Sequence, residues 1–382
     1  MKKLFIVSAK RTPQGRLLGA LAKWSAADLA KEAGREMLKT IAPQDIDQVI
    51  LGNVISAGQG MNIARQVGVG LGIPVERPAY TVNMMCASGM QAVILAAQTI
   101  LAGEANAVLC GGAESMSKAP YLLDRARGGY KLGDGTLMDS ILRDGLTDVF
   151  SGKHMGITAE AMTEKYGINR VAQDAFALQS QQKYANAHAK KAFHDEIVPV
   201  DNLVQDEHPR PDVTMEKLSA MKPVFKPDGT ITPGNASGIN DGAAMLIVCN
   251  ETTLVQKGWT PLARIAGWSV VGCDPGQMGL GPVHATRALC QRLALTIDDF
   301  DAIELNEAFA VQALACMKEL NIKAGRVNPN GGAIALGHPI GASGARLIVH
   351  LAHRIARREI GKALATLCVG GGMGTALMLE KA

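Results

Sequence analysis

Cys86 sits between a strand-like run, Tyr80-Thr81-Val82-Asn83, and an apolar helical run beginning near Met90. A thiol at a helix N-terminus feels the positive end of the macrodipole, which favours the thiolate and brings its pKa below the free value of ~8.5. The position predicts a nucleophile; a small apolar residue filling the strand-to-helix corner is the alternative. His338 stands in Asn328-Pro329-Asn330-Gly331-Gly332-Ala333-Ile334-Ala335-Leu336-Gly337-His338-Pro339-Ile340-Gly341, where the glycines let backbone approach a side chain or ligand closely. An imidazole there suits a general base, because its pKa lies near the working pH. A loop histidine satisfied by backbone is the other reading. Cys368 follows the run Ala363 to Leu367 and precedes Val369-Gly370-Gly371-Gly372-Met373-Gly374. The remaining Thr375 to Ala382 is too short for the helix that a phosphate-binding loop must present. The glycines are therefore read as leaving N–H groups free beside the thiol for a developing oxyanion, with a packing cysteine as the alternative. Asn306 follows the run Ala302 to Leu305 and can hold a water or carbonyl oxygen at a strand end, or cap a helix. Two thiols, an imidazole and an amide around Gly-rich backbone suit acyl transfer through a thioester. His350 and His353 have no accompanying carboxylate motif and read as a solvated or packed helix face rather than metal ligands.

These groups meet only if distant elements converge, and an internal repeat supplies a reason. Ile46-Asp47-Gln48-Val49-Ile50 resembles Phe300-Asp301-Ala302-Ile303-Glu304, at a spacing of 254 residues. Cys86-Ala87-Ser88-Gly89 resembles Gly341-Ala342-Ser343-Gly344 at 255, and Leu109-Cys110-Gly111-Gly112 resembles Leu367-Cys368-Val369-Gly370 at 258. Each half alternates short Val/Ile/Leu runs with longer helical ones such as 25–39 and 90–101, which predicts an α/β sheet covered by helices on both faces. The run Met90 to Leu101 carries no charge, so it belongs between sheets and implies more layers than three. Residues 117–235 read as an insertion between the halves, with one helix over 170–192 that is polar on one face, and loops elsewhere.

A net charge of +4 over 382 residues excludes a basic nucleic-acid tail and an acidic disordered chain. With 42 Gly and only 4% aromatic residues, the interior must be built from aliphatic side chains packed around small ones. The apolar run after Met1-Lys2-Lys3 stops at Lys10, too short for a signal peptide, and is read as a first strand. No run is read as long enough to span a membrane. Seven cysteines without a CxxC pair indicate neither a disulfide framework nor a zinc site, and a reducing cytoplasm is expected.

The chain resembles the thiolase family over essentially its whole length, and within it the short-chain acetyl-CoA acetyltransferases. The likeness rests on Asn83-Met84-Met85-Cys86-Ala87-Ser88-Gly89, Gly234-Asn235-Ala236-Ser237-Gly238-Ile239-Asn240-Asp241-Gly242-Ala243-Ala244, Asn306-Glu307-Ala308-Phe309-Ala310, Asn330-Gly331-Gly332-Ala333 through Gly337-His338-Pro339, and Cys368-Val369-Gly370-Gly371-Gly372. It implies a five-layered αβαβα fold of two duplicated α/β halves with an inserted loop domain. The halves would be 1–116, completed by about 236–258, and 259–382. The loop domain, 117–235, would serve coenzyme binding and oligomerisation in a homotetramer built as a dimer of dimers. The resemblance implies that Cys86 is acylated after His338 takes its proton, and that Cys368 removes an α-proton from a second acetyl-CoA. It further implies that Asn306, through a water, and His338 stabilise the enolate, with the backbone N–H groups of Cys86 and Gly370 as a second oxyanion hole. By the same likeness Arg210 and Ser237 contact coenzyme A, while His154, Met155, Met278 and Phe309 line the acyl pocket, Met155 excluding long chains. Met155 as a packed loop residue is the alternative.

Met84-Met85 departs from relatives that carry a polar or small residue there, a difference expected to bear on dimer packing rather than chemistry. No metal and no cofactor are implied, since coenzyme A is substrate and product; acetyl-CoA and acetoacetyl-CoA are the other expected partners, with no nucleic acid and no membrane. Two further readings are a broader-chain 3-ketoacyl-CoA thiolase of fatty-acid degradation and a non-catalytic lipid-binding relative. Two thiols and a base together argue against the last.

Overall fold

The computed structural model describes residues 3–382. In chain order the first half holds β1 (Leu4–Arg11), β2 (Gly15–Arg16), α1 (Ala26–Met37), β3 (Gln48–Gly52), α2 (Ile63–Gly70), β4 (Ala79–Val82), α3 (Ser88–Ala102) and β5 (Ala107–Ser115). Then follow β6 (Tyr121–Leu123), β7 (Leu137–Asp139), α4 (Met155–Tyr166), α5 (Arg170–Ala189), α6 (Met215–Ser219), β8 (Asn240–Asn250) and α7 (Glu251–Lys257). The second half adds β9 (Ala263–Gly272), α8 (Gly281–Leu293), β10 (Ala302–Leu305), α9 (Ala310–Glu319), α10 (Ala333–Leu336), α11 (Ile340–Ala356), β11 (Lys362–Val369) and β12 (Met373–Glu380). The first strand starts at Leu4, and Met1 and Lys2 lie outside the described residues.

The strands run β4-β3-β5-β8-β1-β9-β12-β11-β10, with β2 alongside β8. This order is a repeat and its mirror. β3 and β5 pair in parallel, as β10 and β11 do. β8 is antiparallel to β5 and β1, as β12 is to β11 and β9. The halves join where Leu4–Ile6 pair with Ala263–Ile265, so two sheets expected from the duplication form one continuous ten-stranded sheet.

Side-chain alternation along the strands sorts the core into layers. Phe5, Val49, Leu51, Leu109 and Ile247 face α1 and α2 on one outer side. Ile6, Ile50, Val108, Leu246 and Val248 face inward, toward α3 and α11, and meet Ala365, Leu367 and Leu377 of the second half there. Ile303, Leu305, Leu364 and Met378 face the other outer side, under α8 and α9. The layers are thus helix, first half of the sheet, helix pair, second half of the sheet, helix.

The helix pair explains one motif of the repeat. A Cβ on Gly89 would lie 2.9 Å from Ala345 N and Gly341 O, and one on Gly344 would lie 2.7 Å from Met90 N. Each helix presses its backbone onto the other at the same repeat position. The 18 residues Met85–Ala102, with a mean hydropathy of 1.5, correct the expectation that no run reaches membrane-spanning length. Here Ser88–Ala102 are α3, sandwiched in the core, and Met85–Ala87 are the turn that leads into it.

The insertion is more ordered than its sequence suggested. Besides α5, which ends at Ala189, it contains α4, α6, the β6–β7 hairpin and a π-helical turn over Ile141–Leu146. Hence Met155 is not a loop residue but the first residue of α4, whose N-cap His154 accepts a hydrogen bond at Nδ1 from Gly156 N at 3.0 Å.

Candidate active site

Cys86, His338, Cys368 and Gly370 line one cavity of about 750 Å³, together with Ser237, Arg210, His154, Met155, Met278 and Phe309. Ten residues singled out from the sequence therefore share one wall-to-wall space. Asn306 does not line it: the residue is fully buried and reaches the site through His338, its Nδ2 lying 3.5 Å from Nε2. Its Oδ1 has no partner in the protein. Asn306 is not a helix cap either, since Phe309 occupies that place for α9.

Cys86 is carried on a tight turn between β4 and α3. Met84 N donates to Ser88 Oγ at 2.9 Å and Ser88 Oγ donates to Met85 O at 2.7 Å. Met85 takes a left-handed φ of 46°, a strained conformation for a side chain with a Cβ. Its Cε comes within 3.6 Å of the place a Cβ on Gly370 would take, so Met85 borders the reacting groups.

The helix dipole does not decide the state of the thiol. Burial pushes the Cys86 thiol up to about 11, while the N–H groups of Gly370 and of Cys86 itself, which favour the anion, offset this only in part. The expectation of a lowered pKa is corrected: withdrawing sulfur from water outweighs a dipole two residues away. Burial likewise raises the Cys368 thiol well above its ordinary value, and the nearby Cys86 adds to the shift. His338 moves the other way, down to about 4, through burial and the Arg346 charge. The resting site therefore holds a neutral thiol and a neutral imidazole on one cavity.

His338 has a defined tautomer. Ser343 Oγ donates to Pro339 O at 2.8 Å, so at 2.5 Å from His338 Nδ1 it can only accept. Nδ1 carries the hydrogen and Nε2 presents a lone pair. The backbone N–H of His338 donates to Asn240 Oδ1 at 2.9 Å. Gly337, at a φ of 101°, has no room for a side chain, because a Cβ would lie 2.6 Å from Asn240 Cγ.

Cys368 lies on β11 with its side chain on the outer face, among Met155, Met278 and Phe309. The glycines after it make the turn into β12, with positive φ at Gly371 and Gly372, and not a phosphate loop. His154 stacks on Phe225 at 4.5 Å, and Phe225 meets Phe309 edge-on at 6.3 Å, giving one wall of the cavity an aromatic lining. The segment bearing Ser237 is held by Ser237 N donating to Ala308 O at 3.0 Å and Ala310 N donating to Asn235 O at 2.9 Å. Arg210 Nη1 donates to Pro233 O at 3.0 Å.

Several supporting residues escaped the sequence reading. Ser343 was visible as the repeat partner of Ser88, and both brace the turn that bears a reacting group. Asn240 lay in a quoted motif without a role. Glu114 had no local signal: its buried carboxylate accepts from Asn53 Nδ2 at 2.8 Å, Val54 N at 3.0 Å, Ile55 N at 3.2 Å and Gly341 N at 2.9 Å, and burial raises it to about 7. Glu307 accepts from Ser180 Oγ and Asn328 Nδ2, both at 2.7 Å, tying its own motif to α5 and to the segment that carries His338. His350 and His353 pack as expected for a helix face, His350 against Glu196 at 2.8 Å and His353 against Ala9 O at 2.8 Å.

Known proteins resemble the chain along essentially its whole length. The family description "Thiolase, N-terminal domain" matches residues 4–252 and "Thiolase, C-terminal domain" matches 259–381. The chain is 50% identical to an acetyl-CoA acetyltransferase of Escherichia coli, over 100% of both chains. It is 49% identical to one of Chromobacterium violaceum, over 98% of this chain and 99% of the relative. The crystal structure of human mitochondrial 3-ketoacyl-CoA thiolase in complex with CoA superposes with a TM-score of 0.97 at 44% identity, covering 100% of this chain and 98% of the other.

Proposed function

The chain belongs to the thiolase family, and from that premise we propose that it is an acetyl-CoA C-acetyltransferase, joining two acetyl-CoA molecules reversibly into acetoacetyl-CoA and CoA. The observation that carries this reading is the convergence of Cys86, His338, Cys368 and Gly370 on one cavity.

The first half-reaction starts with both groups neutral. His338 Nε2 takes the Cys86 proton as the sulfur attacks the thioester carbon, and the N–H groups of Cys86 and Gly370 receive the oxyanion charge that develops there. The tetrahedral adduct collapses to acetyl-Cys86, and the departing CoA sulfur takes the Cys368 proton. Acetyl-enzyme, CoA, a Cys368 thiolate and an imidazolium result. The second acetyl-CoA then gives an α-proton to Cys368. A thiolate whose acid form is so weak is a strong base, as an α-C–H requires. His338, and Asn306 through a water, hold the thioester enolate, which attacks acetyl-Cys86; the released Cys86 sulfur recovers its proton from His338. Ser237 and Arg210 hold the coenzyme, and His154, Met155, Met278 and Phe309 close the acyl pocket, with Met155 limiting its length.

A broader-chain 3-ketoacyl-CoA thiolase is the second reading, favoured by Leu142, Leu146, Ile239 and Ile340, apolar residues that also line the cavity. Assembly into a homotetramer is supported by Tyr121, Leu123, Leu132 and Leu137, exposed on the β6–β7 hairpin and its loop.

Incubation with acetoacetyl-CoA and CoA, with acyl-enzyme mass and product length read together, tests the function. Cys86→Ser should form no acyl-enzyme. Cys368→Ser should still be acylated but fail to exchange the α-proton of acetyl-CoA; normal condensation by that variant would refute the assignment of the second base. Comparable cleavage of C4 and C12 substrates would favour the broader-chain reading.

A further inference from the structure

Two arginines line the cavity, and only Arg210 was expected there. Arg16, on the short strand β2, pairs in register with Asn240 of β8 and lines the same cavity. Its Nη2 donates to Pro209 O at 3.2 Å, as Arg210 Nη1 does to Pro233 O. The nearest carboxylate, Glu207, is engaged elsewhere: it accepts from the backbone N–H groups of Arg16 at 2.9 Å and Ala20 at 3.2 Å. Among the described residues neither guanidinium forms a salt bridge. Their charges act on each other and on His208. Burial and Arg16 lower the pKa of Arg210, and burial, Arg210 and Arg16 bring the His208 imidazole down to about 4. Two like charges held beside a neutral imidazole, each with only carbonyl partners, form a site that an anion would relieve.

We propose that Arg16 and Arg210 together hold a phosphate of coenzyme A, so that Arg16 selects phosphorylated over truncated thioesters. The inference rests on the acetyltransferase reading for its ligand and extends that reading to a residue outside every motif quoted for the family. Arginine suits the task because its planar fork donates two parallel hydrogen bonds to phosphate oxygens, which an ammonium cannot. Arg16 is largely exposed, so its contribution should be screened by salt.

The test measures equilibrium dissociation constants of the full-length protein for CoA, 3′-dephospho-CoA and pantetheine by calorimetry, for the unsubstituted chain, Arg16→Gln and Arg16→Lys. Arg16→Gln is expected to weaken CoA about tenfold, to leave pantetheine within about twofold, and to reduce the salt dependence; Arg16→Lys should recover part of the loss. If 3′-dephospho-CoA is weakened like CoA, the diphosphate is the bound group, and if it behaves like pantetheine, the 3′-phosphate is. Equal weakening of CoA and pantetheine, or no weakening of CoA, would overturn the proposal. Turnover of acetoacetyl-CoA by the unsubstituted protein, measured alongside, reports on the acetyltransferase reading separately and leaves the binding comparison standing.

Discussion

Replacing Ser343 with alanine removes the acceptor that holds His338 in its tautomer. The hydroxyl is 2.5 Å from Nδ1 and already donates to Pro339 O, so its loss leaves a buried N–H without a partner. Such a group costs about 1–3 kcal/mol. The ring can avoid the cost only by moving the hydrogen to Nε2, which then faces the donor Asn306 Nδ2 and no longer offers a lone pair to the thiol. Either way the reactive state becomes less populated by that free energy, and the acylation rate should fall roughly 5- to 150-fold. The assay is single-turnover acetylation of Cys86 by acetyl-CoA, followed by intact-protein mass. Ser343→Thr keeps the hydroxyl and should stay close to the unsubstituted rate. An alanine variant with an unchanged melting temperature that acetylates within twofold of the unsubstituted enzyme would refute the reasoning.

Two further outcomes follow from burial. With the Cys86 thiol near 11, only its thiolate reacts with iodoacetamide, so the alkylation rate of the free enzyme should climb about tenfold per pH unit between pH 7 and 9; a plateau by pH 8 would restore the helix-dipole expectation. Gly344→Ala should lower stability by about 2 kcal/mol, since its Cβ would meet Met90 N at 2.7 Å and the helices cannot separate without opening the core. Thermal unfolding measures it, and an unchanged melting temperature would mean that the helix crossing yields easily.

Much of the site was legible because its parts mark strand ends. Cys86, Asn306 and Cys368 stand at or just past the C-terminal ends of hydrophobic runs, and the repeat sets Cys86 opposite Gly341 and Cys368 opposite Cys110. What stayed hidden depends on contacts between segments far apart in the chain. The thiol's position beside a helix start could be read locally, but the depth of its burial could not, and burial set its protonation. The bond between His338 and Asn240 spans 98 residues, and that between Gly341 and Glu114 spans 227. No local pattern announces either. The insertion looked loop-like because α4 lacks a clear amphipathic stripe: it packs Met155, Ala159 and Met162 inward yet also buries Glu160, which accepts from Thr230 N and Ile231 N at 2.8 Å. The charge-free helix was read correctly as interior although its length and composition would equally suit a bilayer.

The crossing of Gly89 over Gly344 ties geometry to reactivity. Cys86 lies three residues before one glycine and His338 six before the other, so nucleophile and base hang from short arms on opposite sides of a pivot. At about 1.5 Å of rise per residue, a slip by a single residue between the helices would shift sulfur against imidazole by half a hydrogen-bond length. Neither copy of the ancestral unit holds a working set of reacting groups by itself; fusing them made their mutual alignment a property of one polypeptide.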